Sequence, residues 1–144
     1  MGKLDYADTN FTLIRKVKDI ATSYRIDIVA GSIIEKENSR YFNVCYYVDR
    51  SGQVKARYKK IHLWTTEEKY LSPGNEVCIF STRFGKVGIG ICWDLAFPEF
   101  FRALVLNGAQ IVVVPSYWTF GDPDHNFAAS RKVMRSFVDS LCIS

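Results

Sequence analysis

The 144-residue chain is 48% hydrophobic and 24% charged, the composition of an ordinary soluble globular domain that is long enough to bury a core. Its net charge of +4 comes from 19 basic residues scattered among 15 acidic ones. Nucleic-acid binding needs a clustered basic stripe and is therefore not expected. No apolar run reaches the roughly 18 residues of a membrane span, and no segment resembles a signal peptide. We expect one cytoplasmic domain, residues 1–144, with no membrane partner.

The spacing of the cysteines and histidines argues against a metal site. The four cysteines, at positions 45, 78, 92 and 142, form no C-x-x-C pair, and neither His62 nor His125 has a partner at metal-ligand spacing. Three of the cysteines lie in apolar stretches, where a free thiol behaves as a small hydrophobic group. We expect no metal and no organic cofactor.

The first half of the chain predicts one helix followed by short strands. Thr9 or Asn10 can cap the helix, because apolar residues recur behind them at helical spacing. The segment 49–52, Asp-Arg-Ser-Gly, is typical of a hairpin turn between two strands. The predicted elements are a helix over 10–24 and strands over 26–34, 41–48 and 53–58.

In the second half, glycines alternate with β-branched residues in a strand that ends at Cys92. One face of such a strand has no side chains, so another layer can approach closely. The polar segment 65–75 before it is expected to be a loop or short helix. Gly108 is expected to stop the helix that follows. The remaining predicted elements are that helix over 98–107, an apolar strand over 111–114 and a helix over 124–141. This alternation of strands and helices indicates an α/β layered fold.

Cys92 stands where the glycine-rich strand turns toward the next helix. A sharp strand-to-helix turn projects its corner residue and leaves backbone N–H groups beside it, and these can stabilise a developing oxyanion. A helix dipole and a nearby cation would also raise the thiolate fraction of the thiol. On the local pattern alone, a reactive thiol and an inert buried cysteine both remain open.

Several segments of the chain resemble the motifs of the nitrilase superfamily of carbon–nitrogen hydrolases, and they occur in the order that the family has them. The resemblance covers the chain from about residue 26 to residue 118. The segments are FN at 42–43 with DRSG at 49–52, YKKIHL at 58–63, EEKYLSPGN at 67–75, and GICWD at 90–94 with FPE at 97–99.

This resemblance implies an αββα sandwich of the nitrilase type, incomplete at both ends of the chain. It implies that Cys92 attacks an amide, carbamoyl or nitrile carbon and forms a thioester that water hydrolyses. Lys60 would place its ammonium against the developing negative charge, and the N–H of Trp93 would complete the oxyanion site. Glu67 would be the accessory glutamate. The Trp-Asp pair after Cys92 is similar to amidases and carbamoyl hydrolases, which favours a small linear amide or ureido acid as substrate.

Other interpretations stay open for each of these residues. Lys60 and Glu67 lie in charged segments, where a solvated side chain is the usual state. Trp93, Tyr117 and Trp118 are candidates for the wall of a substrate pocket, and core packing would explain them equally well. We expect His62 to hold local structure by hydrogen bonding rather than to act as a base.

The general-base glutamate of the family closes an early strand in a Pro-Glu motif, and this chain has no such motif before its first helix. Its Pro-Glu pair is Pro98-Glu99, which belongs to the turn after Cys92, and Asp5, Asp8, Glu35 and Glu37 do not match the motif. Two hypotheses follow. The missing parts come from another chain, in a homo-oligomer or a complementing complex, or the chain is a catalytically inactive module of the same fold.

Overall fold

A computed structural model describes residues 7–116. The predicted helix over 124–141 and the pocket candidates Tyr117 and Trp118 lie outside this range. None of the helices within it is long and apolar enough to cross a membrane. The described helices and strands, in chain order, are α1 (Thr12–Tyr24), β1 (Ile28–Glu37), β2 (Arg40–Val48), β3 (Val54–Lys59), β4 (Cys78–Thr82), β5 (Gly85–Ile89), α2 (Pro98–Leu106) and β6 (Ile111–Val113), with short 3₁₀ turns at Glu67–Lys69 and Cys92–Ala96.

The six described strands form two separate three-stranded sheets. The first has the order β1-β2-β3, and both of its pairs are antiparallel. The second has the order β4-β5-β6, in which β4 runs antiparallel and β6 parallel to β5. The parallel pair needs a crossover connection, and α2 supplies it. Strand β4 was not predicted, because its five residues follow a polar segment and are too few to show a clear alternating pattern.

The layers are stacked in the order α1, first sheet, second sheet, α2, and two apolar cores lie between them. Successive side chains of β2 point to opposite faces, so one set packs on α1 and the other on the second sheet and α2. This arrangement confirms the predicted αββα sandwich. The buried members of the first core are Ile14, Ala21, Ala30, Phe42, Val44, Tyr46 and Val48. Those of the second are Cys45, Tyr47, Ala56, Tyr58, Ile89, Ile91, Phe100 and Leu104.

The glycine-lined face of β5 lies against α2, as the sequence predicted for a strand with one bare face. A Cβ on Gly88 would come within 3.1 Å of the Leu104 side chain, and one on Gly90 within 3.0 Å of the Phe100 ring. The opposite face of the strand carries Ile89, which is fully buried. Because both faces are covered, β5 is held rigidly up to the turn at Cys92.

The cap of α1 differs from the prediction. Neither Thr9 nor Asn10 caps the helix; instead the two carboxylate oxygens of Asp8 accept the N–H groups of Thr12 and Leu13, at 2.9 and 2.8 Å. Asp8 reaches the helix from a bridge to Glu35 of β1. The cap therefore comes from an acidic residue fixed on the sheet, which the spacing along the helix alone did not show.

Candidate active site

Cys92 occupies the tight turn that follows β5. Its backbone φ is +46°, in the left-handed region that residues other than glycine and asparagine rarely adopt. Its N–H donates to the carbonyl oxygen of Pro115 at 3.0 Å, which fixes the turn to the segment after β6. The side chain is partly buried against the second core rather than sealed inside it. The structure thus confirms a sharp turn at the residue that the sequence singled out, and it adds that the backbone there is strained.

The strain at this corner predicts an order of stability for two variants that both lack the thiol. Cys92→Gly is expected to exceed Cys92→Ala by about 1 kcal/mol in free energy of unfolding, because glycine adopts a positive φ without a steric penalty. Urea unfolding of the two purified variants measures the difference. If Cys92→Ala proves the more stable, the turn is not strained by the side chain at this position.

Asp94, two residues after Cys92, fastens the turn to the end of β3. Its carboxylate is fully buried, and it accepts the N–H of Ile91 at 2.8 Å and the hydroxyl of Tyr58 at 2.8 Å. The other carboxylate oxygen accepts the N–H of His62 at 3.0 Å and lies 2.8 Å from its Nδ1. The His62 ring also stacks on Phe97 at 3.7 Å between centroids. This confirms the prediction that His62 holds local structure.

Lys60 and Glu67, which the sequence placed in two charged segments, meet in a buried pair. The Lys60 side chain is 2% exposed, and its Nζ lies 2.6 Å from Oε2 of Glu67. The interpretation of Lys60 as a solvated lysine at a strand end is therefore wrong. Glu67 is only 16% exposed, so the interpretation of this residue as a free surface charge is also wrong.

The environment of Glu67 keeps it ionised. Burial acts to raise the pKa of Glu67, but hydrogen bonds from Lys60 Nζ, the Trp64 N–H and the Asn43 amide outweigh it and lower the pKa below its ordinary value. Asn43 donates through Nδ2 to Oε1 of Glu67 at 2.8 Å, and the backbone carbonyl oxygen of Asn43 accepts the Lys60 backbone N–H at 2.9 Å. Lys60 is thus held at both its backbone and its ammonium.

Gly74 closes the lysine segment from the other side. Its N–H donates to the Lys60 carbonyl oxygen at 2.8 Å. A Cβ at this position would lie 2.3 Å from the carbonyl oxygen of Lys59. The close approach explains why the Pro-Gly pair stands here, since only glycine permits this contact between two backbones.

Trp93 follows Cys92 in the turn and is partly buried. Its ring makes an edge contact with Trp64 at 4.3 Å between centroids and a second with Phe97 at 6.5 Å. A depression of about 310 Å³ opens near these rings, lined in part by Ile61, Leu71 and Phe97. Cys92 is not among its lining residues, so this depression is not assigned as the substrate pocket.

Two acidic residues that do not match the general-base motif, Glu35 and Asp8, have structural partners away from Cys92. Glu35 is fully buried and accepts from Tyr46 at 2.7 Å and from Arg57 at 2.8 Å, on the α1 side of the first sheet. Asp8 caps α1. Within residues 7–116, no carboxylate lies within hydrogen-bonding distance of the Cys92 sulfur, and no group of three His, Cys, Asp or Glu side chains could hold a metal ion.

Sequence reasoning missed the residues that join these parts. Asp94 appeared only as a marker of substrate class, and Asn43 and Tyr58 appeared only as letters in motifs. Asp94 and Tyr58 each lie two positions from a candidate residue, which was the signal in the sequence, whereas Asn43 lies inside β2 and had no such signal. The side-chain contacts that join distant segments, however, span between 24 and 36 positions along the chain, so local patterns could not show them.

The chain belongs to the carbon–nitrogen hydrolase family, whose model matches residues 3–134. A probable nitrilase of Schizosaccharomyces pombe is 39% identical over 106 residues, which cover 72% of this chain and 39% of that relative. The crystal structure of a carbon–nitrogen hydrolase from Helicobacter pylori G27 superposes with a TM-score of 0.87 at 25% identity, over 97% of this chain and 50% of that one.

A third similar protein is an amidase from Nesterenkonia sp. AN1, solved as a variant whose active-site cysteine carries the acetamide moiety of fluoroacetamide. It matches with a TM-score of 0.66 and 28% identity, over 72% of this chain and 40% of that one. The chain spans less than half of the length of these curated relatives, between 19% and 40%.

Proposed function

We propose that this chain carries the nucleophile of an enzyme that hydrolyses small linear amides or carbamoyl compounds through a cysteine thioester. One observation carries the proposal. The strained corner at Cys92 is tied through Asp94 to the segment that holds the buried Lys60. An inert cysteine would need neither a left-handed backbone nor a buried ammonium on the adjoining segment.

In the proposed reaction, the Cys92 thiolate attacks the carbonyl carbon, and a carbon–sulfur bond forms as the carbonyl oxygen takes the negative charge. The carbon–nitrogen bond then breaks, and the nitrogen leaves as ammonia or an amine after accepting a proton. Water attacks the resulting thioester, releases the carboxylic acid and restores the thiol. The Trp93 N–H stands at the start of a helical turn, where the first N–H groups have no intrahelical acceptor, and it is assigned to the oxyanion.

Lys60 and Glu67 have complementary roles in this proposal. The Lys60 ammonium stabilises the oxyanion and favours the thiolate, because a cation in a site shielded from water interacts strongly with developing charge. Glu67 holds that ammonium in one position, and the lowered pKa of Glu67 keeps its carboxylate charged at neutral pH. Trp93, which is partly buried next to Cys92, is proposed to contact the substrate.

The reaction also needs a base that takes the thiol proton and later activates water. Residues 7–116 place no carboxylate on the sulfur, so we assign this base to residues outside that range or to another chain. A homo-oligomer or a complementing chain would serve. The alternative is a catalytically inactive module of the same fold. The reactivity of the Cys92 thiol distinguishes this module from the proposed enzyme.

The test is competitive alkylation of the native chain with iodoacetamide, followed by peptide mass analysis. Thiolate forms a thioether as iodide leaves, so the rate follows thiolate content and access. Cys92 is expected to react at least about tenfold faster than Cys45 and Cys78. Burial raises the pKa of Cys45 to about 12 and also raises that of Cys78. These two thiols are therefore matched controls inside the same molecule.

The Cys92→Ser variant should lose the fast phase and keep the slow ones. Equal labelling of Cys45, Cys78 and Cys92 under native conditions would show that Cys92 is not activated, and it would favour the inactive module. A fast phase that survives in Cys92→Ser would place the reactive thiol elsewhere.

A further inference from the structure

The buried carboxylate of Asp94 makes more connections than its own turn requires. Capping the turn takes one hydrogen bond, from the Ile91 N–H. The other three contacts reach Tyr58 at the end of β3 and two atoms of His62 in the loop beyond it. A carboxylate has about four lone-pair sites, and all four are used here.

These contacts join the two segments that carry the proposed reactive groups. Ile91 directly precedes Cys92, while Tyr58 and His62 flank Lys60 on both sides. Tyr58 strengthens the connection, because its hydroxyl donates to Asp94 and also accepts the N–H of Ile61 at 3.1 Å. Cys92 follows a strand of the second sheet and Lys60 a strand of the first. Asp94 therefore bridges two layers of the fold.

We infer that Asp94 is a positioning residue that fixes the position of Cys92 relative to Lys60, and that the thiol loses its activation when this carboxylate is removed. This inference rests on the proposed function. Asp94 is not a catalytic residue in this scheme, since both of its oxygens are occupied by protein donors and neither is free for substrate.

Positioning and plain electrostatics predict opposite results for Asp94→Asn. Removing a neighbouring negative charge favours the thiolate, so electrostatics alone would move the pH midpoint of Cys92 alkylation downward. Loss of the positioning would instead separate the Cys92 thiol from the Lys60 ammonium and the Trp93 N–H, and the pH midpoint of alkylation would rise. The direction of the shift therefore distinguishes the two causes.

The experiment measures the rate of iodoacetamide alkylation at Cys92 against pH in the full chain. Asp94→Asn is expected to raise the midpoint by about 1 pH unit and to slow labelling at neutral pH about tenfold. Tyr58→Phe changes no charge and removes one hydroxyl, and it should raise the midpoint by a smaller amount. Tyr58→Phe keeps every charged group, so a rise in its midpoint reports positioning and not charge. If Asp94→Asn does not fold, this variant alone tests the positioning role.

Glu35→Gln is the matched control. Glu35 is also a fully buried carboxylate that bonds a tyrosine hydroxyl, but its partners lie on the α1 side of the first sheet. Glu35→Gln should lose stability and leave the Cys92 midpoint where it is in the wild type. If it raises the midpoint as Asp94→Asn does, the effect is a general loss of stability and the inference is overturned.

The failures of the two proposals are distinguishable. A wild-type Cys92 that labels no faster than Cys45 contradicts the proposed function itself. A fast wild-type Cys92, combined with unchanged or lowered midpoints in both Asp94→Asn and Tyr58→Phe, leaves the proposed function standing and overturns the positioning role of Asp94.

Discussion

Lys60→Met is expected to lower the free energy of unfolding by about 3 kcal/mol, because removing one partner of a buried ion pair leaves the other charge uncompensated. Methionine has nearly the length of lysine and fills the space, so the loss reports the missing charge rather than a cavity. Glu67 would remain largely buried with its strongest partner gone. Under the proposed function, the same variant should also slow alkylation of Cys92, because it removes the cation assigned to favour the thiolate. Urea unfolding and the labelling assay measure the two effects.

The neighbouring lysine provides the control. Lys59 is 28% exposed and pairs with Glu37, which is 41% exposed. Lys59→Met should therefore cost less than about 1 kcal/mol, as is usual for pairs near the surface, and leave Cys92 reactivity unchanged. Equal losses in the two variants would contradict the distinction between the buried and the exposed lysine.

The pH dependence of stability should also change in Lys60→Met. In the wild type the folded-state pKa of Glu67 is lowered, so its contribution is complete above the ordinary carboxyl value and is lost as pH falls through the lowered one. Without Lys60, burial is offset only by the Trp64 N–H and the Asn43 amide, and the folded-state pKa rises. Acidification should then remove less stability from Lys60→Met than from the wild type, which urea unfolding at a series of pH values measures.

Gly74→Ala is expected to destabilise the fold by about 3 kcal/mol, at the upper end of the range for overpacked sites. The added Cβ would lie 2.3 Å from the carbonyl oxygen of Lys59, and a backbone atom inside the sheet end cannot move aside cheaply. The hydrogen bond from the Gly74 N–H to Lys60 should break as the two segments separate. Thermal and urea unfolding measure the loss, and slower labelling of Cys92 should accompany it.

Gly88→Ala is the matched control for this substitution. Its Cβ would meet the terminal methyl groups of Leu104 at 3.1 Å and the Cβ of Ala109 at 3.4 Å. The end of a leucine side chain can rotate or shift by a few tenths of an ångström. We expect a loss of about 1 kcal/mol with unchanged Cys92 reactivity. If both alanine variants lose the same stability, the contact at Lys59 is not the cause.

The layered fold could be predicted from the sequence because its signals are local. The hairpin turn at 49–52, the bare face of β5 and the stop at Gly108 each depend on a few adjacent residues. The cap of α1 and strand β4 were missed for the opposite reason. Asp8 reaches the helix from the sheet, and β4 is a strand because it pairs with β5.

The candidate site, too, was predictable only in part from the sequence. A glycine-rich strand ending at a cysteine marks Cys92, and family motifs mark Lys60 and Glu67. The sequence did not show that Lys60 would be 2% exposed, since a lysine in a charged run usually faces water. Burial of Lys60 depends on Glu67 and on Gly74, and Glu67 in turn depends on Asn43. That network exists only once distant segments meet.

The bridge between the two sheets has a consequence for how the chain acquires its chemistry. Cys92 and Lys60 are carried by different sheets, and hydrogen bonds that span 32 to 36 positions bring their segments together. Under the proposed function, Cys92 has its assisting groups only when both sheets are docked on each other. A chain in which one layer has opened would then carry an ordinary thiol at this position.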